Sequence, residues 1–296
     1  DDFSDTTDTR NDLPCYLEPR WKRLAHDLTV TDEQVREIEE STPLWNDTIF
    51  HQKSHIWIAP PNGGKTTIAI AAARELVNQG FEVLYINLDA GASDLKYYQA
   101  AASRDGYSLV APLLEGSSES DCVGLIEALT QAEDLSAVVV FMDTLKKFTD
   151  VISKHKSKRL YKKIRTITVR GGTVIALGHT NKHKDSDGQL IYEGTGDLKS
   201  DFDIMMFMYP CKQFERLVIS TEFVKERAKV KPHTFSIGPD RDVSVESEYI
   251  NTREIENQRL REEADKKVVD FIRDLLAEKP VNQGEVISAC KESVVG

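Results

Sequence analysis

Residues 59–66 read Ala-Pro-Pro-Asn-Gly-Gly-Lys-Thr and lie between a short apolar segment and a segment with helical periodicity. They match the phosphate-binding pattern G-x-x-x-x-G-K-[ST] except at the first position, where Ala59 replaces glycine. In such a loop, backbone amides and the N-terminus of the following helix surround a phosphate group. A glycine turn followed by a chance Lys-Thr pair would not require this strand-loop-helix context, so we predict a nucleotide-binding loop.

The side chains of the loop have separate expected roles. Lys65 is expected to reach the β- and γ-phosphates of ATP, and the hydroxyl of Thr66 to bind Mg²⁺. ATP and Mg²⁺ are therefore the expected cofactors. The residues expected to contact the nucleotide are Asn62, Gly63, Gly64, Lys65, Thr66 and Thr67.

Strand and helix patterns alternate on both sides of this loop. Apolar strand patterns occupy residues 55–59, 82–88, 137–142 and 172–177, and helical patterns occupy 65–79, 120–132 and 160–170. Such alternation predicts an α/β fold with a mainly parallel sheet flanked by helices.

Beyond residue 203 the pattern changes to short, antiparallel-looking strands at 204–209, 216–223 and 233–237, followed by helices at 251–278 and 282–290. We predict three regions. Residues 1–44 form a loose leader and one helix from Thr31 to about residue 40, and residues 45–240 form the core. Residues 251–296 form a small helical module, for which a truncated winged helix is a candidate.

Two acids end predicted strands and are candidates for the chemistry. Asp143 follows the apolar run 137–142, where a carboxylate next to the loop would hold Mg²⁺ through water. Asp89 ends the strand 82–88 and is a candidate for orienting the attacking water, with Asp94 behind it. A role for Asp89 as an ordinary turn or capping acid remains open.

The strand near residue 177 ends in the polar run His179-Thr-Asn181-Lys182. We expect His179 or Asn181 to contact the γ-phosphate and to transmit its loss to the following loop. The alternative is a hydrogen-bonded core histidine, which is the commoner role of an isolated histidine beside an apolar run.

The composition limits the classes of function. With 40% hydrophobic and 29% charged residues, no long apolar run and no secretory leader pattern, we expect no membrane segment. The four cysteines are far apart without a CxxC pair, which predicts reduced thiols in a cytoplasmic protein.

The net charge of −11 argues against a nucleic-acid partner, but the charge is unevenly distributed. Residues 146–170 hold ten lysines and arginines against one acid, Asp150. A concentrated basic segment on an acidic protein can bind a phosphate backbone, although a solvated basic helix face is the alternative. The candidate contacts to single-stranded nucleic acid are Lys154, Lys156, Lys158, Arg159, Lys182 and Lys184.

Together, the loop, the Asp143 strand, the His179 run and Lys225-Glu-Arg227 resemble the RecA-like hexameric helicases of the RepA/DnaB type, over residues 45–240. The resemblance implies a hexameric ring in which Lys225 and Arg227 enter the ATP site of the neighbouring subunit. It also implies that loops at 147–160 and 181–200 line the central pore. That family usually has Glu where this chain has Asp89, which implies either slow turnover with Asp89 or a different hydrolytic acid.

Three functions follow from these features. The first is an ATP-dependent, ring-forming helicase or translocase on single-stranded DNA, acting in replication. The second is a recombination-type or regulatory RecA-like ATPase that binds DNA or protein without unwinding. The third is a small-molecule kinase, in which the late Lys-x-Arg pair and the two polar loops would have no purpose.

Overall fold

A computed structural model describes residues 19–36, 41–112, 118–149, 154–184, 190–193, 198–278 and 281–293. Asp1–Glu40 and Ser41–Gly296 are two separate compact units. The first contains α1 (Arg20–Leu28) and α2 (Asp32–Arg36). The predicted helix from Thr31 is present in part, and its end at 37–40, like most of the predicted leader, lies outside the described residues.

The second unit contains the remaining elements. Its strands are β1 (Pro43–Trp45), β2 (Ile49–Phe50), β3 (Ser54–Ala59), β4 (Glu82–Asn87), β5 (Ser108–Val110), β6 (Val138–Asp143), β7 (Thr173–Lys184), β8 (Leu190–Tyr192), β9 (Ile204–Gln213), β10 (Arg216–Lys225), β11 (Thr234–Ile237) and β12 (Val243–Val245). Its helices are α3 (Lys65–Asn78), α4 (Ala92–Asp105), α5 (Glu119–Leu129), α6 (Leu145–Phe148), α7 (Lys154–Val169), α8 (Leu198–Asp201), α9 (Thr252–Glu278) and α10 (Gln283–Ser293). Among the described residues, no helix combines the length and apolar character that crossing a bilayer requires.

The main sheet has the order β12-β11-β10-β9-β3-β7-β6-β4-β5. All pairs from β9 to β5 are parallel, and the pairs from β9 to β12 are antiparallel. The predicted α/β class with a mainly parallel, helix-flanked sheet is therefore confirmed. The strand expected at 204–209 among the antiparallel-looking strands is β9, which pairs parallel with β3 on one side and antiparallel with β10 on the other.

The strand β3 is buried at every residue because helices cover both faces of the sheet. Trp57 packs with Leu76 of α3 on one face, whereas Ile56 and Ile58 pack with Ile164 of α7 on the other. Burial on both faces explains why the central strands appear in the sequence as continuous apolar runs.

Two segments expected to be loops contain more regular structure than the sequence predicts. In the segment 147–160, α7 begins already at Lys154, because the apolar helical face that includes Leu160 and Ile164 packs on the sheet. In the segment 181–200, β7 continues to Lys184 and pairs with β8.

The sequence pattern also does not predict α4, because its buried residues include small alanines that give a weak periodic signal.

The core continues past residue 240, because β12 extends the sheet and the start of α9 is anchored to it. Thr252 is fully buried, and its hydroxyl donates to the carbonyl of Tyr209 and accepts the backbone amide of Ser220 at 3.1 Å. The first turn of α9 therefore belongs to the core, whereas a separate module over the rest of 251–296 remains a prediction.

We expect Thr252→Val to lower the free energy of unfolding by about 1–3 kcal/mol, because it leaves the buried amide of Ser220 and carbonyl of Tyr209 without their shared partner. Urea denaturation followed by circular dichroism measures this change. Thr252→Ser keeps the hydroxyl and is the matched control. Equal stability of the native chain and Thr252→Val would show that the hydroxyl does not anchor α9.

Candidate nucleotide-binding site

The carboxyl ends of β3, β4, β6 and β7 meet at one edge of the sheet and line a cavity of about 400 Å³. Parallel strands with this order bring residues from distant parts of the chain to one crevice. The predicted site residues that line this cavity are Asn62, Gly63, Gly64, Lys65, Thr66, Thr67, Asp89, Asp143 and His179.

The glycines of the loop are required by close approach of neighbouring atoms. Gly64 has φ +82°, and a Cβ there would lie 2.6 Å from the Cδ1 of Ile219 and 2.7 Å from that of Ile237. A Cβ on Gly63 would lie 2.8 Å from the carbonyl oxygen of Pro60. The compact turn places the free amides of the first turn of α3 at the cavity, where they can bind an anion.

Lys65 is buried and folds back onto its own loop. Its Nζ donates to the carbonyl oxygens of Ala59 at 2.9 Å and Pro60 at 3.2 Å, and it lies 3.4 Å from Nδ1 of His179. Burial lowers the pKa of Lys65 to about 8, although the carboxylates of Asp143 and Asp89 oppose this change. A polyphosphate at the loop would offer the ammonium group a much stronger partner than two carbonyls.

Asp143 is buried at the end of β6 and is already oriented by two hydroxyl groups. Its Oδ2 accepts hydrogen bonds from Thr66 Oγ1 at 2.8 Å and from the Tyr85 hydroxyl at 2.9 Å. Burial raises the pKa of Asp143, while these two hydrogen bonds act in the opposite direction. A carboxylate and a hydroxyl at this separation are hard oxygen ligands that fit Mg²⁺. The sequence analysis did not identify Tyr85, because this residue belongs to no motif. The only signal was its position on the predicted strand 82–88, where its side chain faces inward.

Asp89 is exposed and lines the cavity just after β4. The side-chain oxygen of Asn87 accepts the backbone amides of Asp89 at 3.0 Å and Ala90 at 2.9 Å, which fixes the turn that presents Asp89. Asp94 lies on the first turn of α4 and does not line the cavity. Of the two candidate acids for orienting the water, only Asp89 therefore lines the cavity.

His179 lies on β7 at the register of Ala59 and contacts Lys65 through Nδ1. Its Nε2 is buried and has no hydrogen-bond partner within the described chain. Burial, with the nearby Lys65 and Lys146, lowers the pKa of His179 to about 4, so the ring is neutral at physiological pH. A neutral ring that accepts from Lys65 at Nδ1 carries its proton on Nε2 and can donate it to a phosphate oxygen. Asn181, two residues further along, is exposed and does not line the cavity.

Lys225 and Arg227 lie near the amino end of β3, whereas the loop follows the carboxyl end of that strand. Nη1 of Arg227 donates to Oδ1 of Asp203 at 3.1 Å, and Nζ of Lys225 donates to the carbonyl of Ser200 at 2.7 Å. Asp203 contacts Ser54 at the start of β3, whereas the loop follows the end of that strand. Five residue steps of about 3.3 Å make this separation about 17 Å, so neither side chain reaches the cavity of its own chain.

The predicted nucleic-acid contacts lie on two elements. Lys156, Lys158 and Arg159 are exposed on α7, together with Lys162 and Arg165, which the sequence prediction does not include. The side chains of Lys154, Lys182 and Lys184 lie outside the described residues, so their part in the interface remains a prediction.

Sequence reasoning missed five further cavity residues because no motif marks them: Tyr98, Thr144, Leu217, Ile237 and Arg241. Arg241 occupies the turn between β11 and β12, and its guanidinium lies 4.3 Å from the ring centroid of Tyr97. The antiparallel strands beside the loop bring Leu217, Ile237 and Arg241 to the cavity, whereas Tyr98 comes from α4 and Thr144 follows β6.

The glycine-rich loop, the buried lysine and the Thr66–Asp143 pair on a mainly parallel sheet define a RecA-like P-loop ATPase. A family model described as AAA domain matches residues 18–185, which is more than half of the chain. The chain belongs to this AAA domain family.

Two solved structures are similar to the chain at low sequence identity. The flagellar accessory protein FlaH from Methanocaldococcus jannaschii is 11% identical with a TM-score of 0.46, over 67% of this chain and 91% of FlaH. A KaiC-like protein from Pyrococcus horikoshii OT3 is 16% identical with a TM-score of 0.48, over 71% of this chain and 98% of that protein. No curated protein sequence matches the chain significantly.

The lowered pKa of Lys65 predicts that nucleotide affinity falls as the pH rises above about 8. Above that value the lysine of the free protein is a neutral amine, and a bound polyphosphate raises its pKa, so binding takes up one proton. The dissociation constant should then rise by up to about tenfold per pH unit. Titration with a fluorescent ATP analogue between about pH 7 and pH 9.5 measures this slope on either side of the shifted pKa.

Lys65→Arg is the matched control, because a guanidinium stays charged throughout this range. Its affinity should be independent of pH across the titration. A flat profile for the native chain, or the same slope in both proteins, would contradict a titrating Lys65.

Proposed function

We propose that this ATPase is a ring-forming helicase or translocase that uses ATP and Mg²⁺ to move on single-stranded DNA, as in replication. The observation that carries the proposal is the division of the predicted catalytic groups between the two ends of the strands of one sheet. Lys65, Thr66 and Asp143 occupy one end, and Arg227 occupies the other. A single chain therefore holds two halves of a site that it cannot combine by itself.

Head-to-tail packing of identical subunits brings unlike surfaces together and can close into a ring. In such a ring the end of the sheet that carries Lys225 and Arg227 meets the nucleotide cavity of the next subunit. An arginine supplied in this way stabilises the charge that develops on the transferred phosphoryl group. The more than half-exposed side chain of Arg227 supports this role, because it is accessible to a second copy.

Within each cavity the remaining residues divide the work. The loop amides and Lys65 hold the phosphates, and Thr66 and Asp143 are placed to hold Mg²⁺, which when bound neutralises phosphate charge. Asp89 orients the attacking water, and His179 donates from Nε2 to the γ-phosphate. Asp89 is one methylene shorter than glutamate, so slow turnover is expected if it is the hydrolytic acid.

The exposed cations of α7 support contact with a nucleic-acid backbone. Lys158, Arg159 and Lys162 lie on one exposed side of the helix, whereas Tyr161 faces the core. Phe148, just before this helix, is also buried and does not offer a stacking surface to a base. Contact through phosphates, which is independent of base sequence, therefore fits this surface better than base recognition.

The second candidate is a recombination-type or regulatory RecA-like ATPase that does not unwind DNA, and it is compatible with the same surface, because binding a phosphate backbone through α7 does not require strand separation. The two functions differ in their products. A helicase separates a labelled duplex with a single-stranded tail, whereas the second candidate binds and hydrolyses ATP without releasing a strand.

We expect Arg227→Ala to keep its nucleotide affinity but to reduce hydrolysis by a factor on the order of 10³, because a guanidinium supplied by a neighbour acts on the transition state. Lys65→Ala should fold but fail to hydrolyse ATP. Mixing the two proteins should restore activity, since Lys65→Ala subunits supply Arg227 to intact loops of Arg227→Ala subunits. ATP turnover is measured across mixing ratios, with ring formation checked by light scattering.

Mixtures of Lys65→Ala with a Lys65→Ala/Arg227→Ala double variant are the control and should stay inactive, because neither protein has an intact loop. The absence of recovery in assembled Arg227→Ala and Lys65→Ala mixtures would show that sites are not shared between subunits.

Replacing Lys154, Lys156, Lys158 and Arg159 by Gln should weaken binding to single strands of every sequence alike. The log–log salt slope should become shallower by roughly 0.7 for each phosphate group that the variant no longer binds. Basal hydrolysis should be retained, whereas its stimulation by DNA should disappear. Fluorescence anisotropy at several salt concentrations measures the slope.

The single variants Arg159→Gln and Lys163→Gln form a matched pair on the same helix. Lys163 is paired with Glu127 of α5, so replacing it should change the salt slope less than replacing the exposed Arg159. Equal slopes for the native chain and the quadruple variant would identify α7 as a solvated basic face.

A further inference from the structure

The side chain of Asp203 is a buried carboxylate at the end of the sheet opposite the nucleotide cavity. Its Oδ2 accepts hydrogen bonds from the backbone amide of Ser54 at 3.0 Å and from the Ser54 hydroxyl at 2.8 Å. The backbone amide of Asp203 in turn donates to the Ser54 carbonyl at 3.0 Å. These bonds fix the carboxylate to the first residue of β3, the central strand that ends in the nucleotide loop.

The other oxygen of this carboxylate faces two arginines. Oδ1 lies 3.1 Å from Nη1 of Arg227 and 3.7 Å from Nη1 of Arg165, which belongs to α7. The Asp203 side chain is 4% exposed, whereas the Arg227 and Arg165 side chains are 55% and 63% exposed. A rigid buried acceptor therefore holds one end of two guanidinium groups that otherwise face outward.

We propose that Asp203 is the positioning residue for Arg227, holding its guanidinium in the orientation that enters the nucleotide site of a second copy of this chain. This inference depends on the proposed sharing of sites between subunits and adds the residue that makes Arg227 effective.

The physical reason is the cost of ordering a long side chain. A free arginine on the surface populates many rotamers, and fixing it costs up to about 2 kcal/mol. The bond from Nη1 to Asp203 removes much of that freedom before the subunits meet. It uses only one of the five N–H donors of the guanidinium, so others remain for phosphate oxygens.

Arg165 can compensate the charge of the Asp203 carboxylate when Arg227 engages a phosphate. A buried carboxylate without a cation is strongly destabilising, and a phosphate competes with Asp203 for the Arg227 charge. The second guanidinium keeps positive charge near the carboxylate. Burial by itself would raise the pKa of Asp203, yet the hydrogen bonds from Ser54 and the two arginines hold it below its usual value. When Arg227 engages a phosphate, the hydrogen bonds from Ser54 and the charge of Arg165 still compensate the carboxylate.

A purely structural ion pair is the competing explanation, and mixing experiments separate the two. We expect Asp203→Asn to bind nucleotide normally but to hydrolyse ATP about ten- to hundredfold more slowly, as expected for a misplaced group. Mixing it with Lys65→Ala protein should restore hydrolysis, because Lys65→Ala subunits carry a correctly held Arg227 to the intact loops of Asp203→Asn subunits. A structural defect stays within its own subunit, so it would show no recovery.

Glu222→Gln is the matched control, because Glu222 is a carboxylate on β10 that pairs with Arg253 at 3.1 Å and does not contact Arg227. It should hydrolyse ATP at the native rate. Should Asp203→Asn fail to bind nucleotide, Ser54→Ala loosens the same carboxylate without removing its charge and enters the same mixtures. Recovery is again expected, and its absence would overturn the proposal.

Different outcomes would refute the shared sites and the positioning role of Asp203. No recovery in Arg227→Ala and Lys65→Ala mixtures would refute shared sites themselves. Recovery there, but none with the Asp203 or Ser54 variant, would refute only the positioning role of Asp203. A native rate in Asp203→Asn would refute it as well.

Discussion

The burial of β3 on both faces constrains where this protein can place polar chemistry. All six residues of the strand are buried, and the polar ring atoms of His55 are accommodated by local bonds. His55 Nε2 accepts the amide of Phe50 at 3.0 Å, and Nδ1 donates to the carbonyl of Val174 at 3.2 Å. Burial lowers the pKa of His55 to about 4, so the ring is neutral. Charged groups are therefore confined to the two ends of the strand.

At the carboxyl end, partial desolvation tunes a small group of charges against one another. Lys65, Asp143 and His179 lie close together, and burial disfavours the charged form of each. Carbonyls and hydroxyls of the chain itself hold Lys65 and Asp143. An incoming polyphosphate and its metal ion would replace these weaker partners, so the same burial that perturbs the pKa values also strengthens ligand binding.

At the amino end of the same strand, a buried charge is fully compensated by neighbouring groups. Asp203 is ionised because Ser54 and two arginines compensate its charge, and the arginines remain open to solvent on their outer side. The nucleotide cavity thus lies at one end of the strand, and an outward-facing pair of guanidinium groups lies at the other. A closely packed sheet of this width is stiff. If the cavity of one subunit met the arginines of another, both sets of groups would therefore already be held in position.

The nucleotide loop, the Asp143 strand and the α/β class were predictable from the sequence, because each depends on local order. A glycine turn followed by Lys-Thr, and an apolar run that ends in an acid, lie within a few adjacent residues and reflect burial directly. The hydrogen bond from Tyr85 to Asp143, and the positions of Tyr98 and Arg241 at the cavity, depended on which elements became neighbours. The same holds for Asp203, whose partners Ser54, Arg165 and Arg227 are distant along the chain. Regular structure beyond the predicted boundaries of α7 and β7 likewise came from packing and strand pairing. Local periodicity determines which face of an element is apolar, whereas only the tertiary structure decides which distant polar groups meet at its ends.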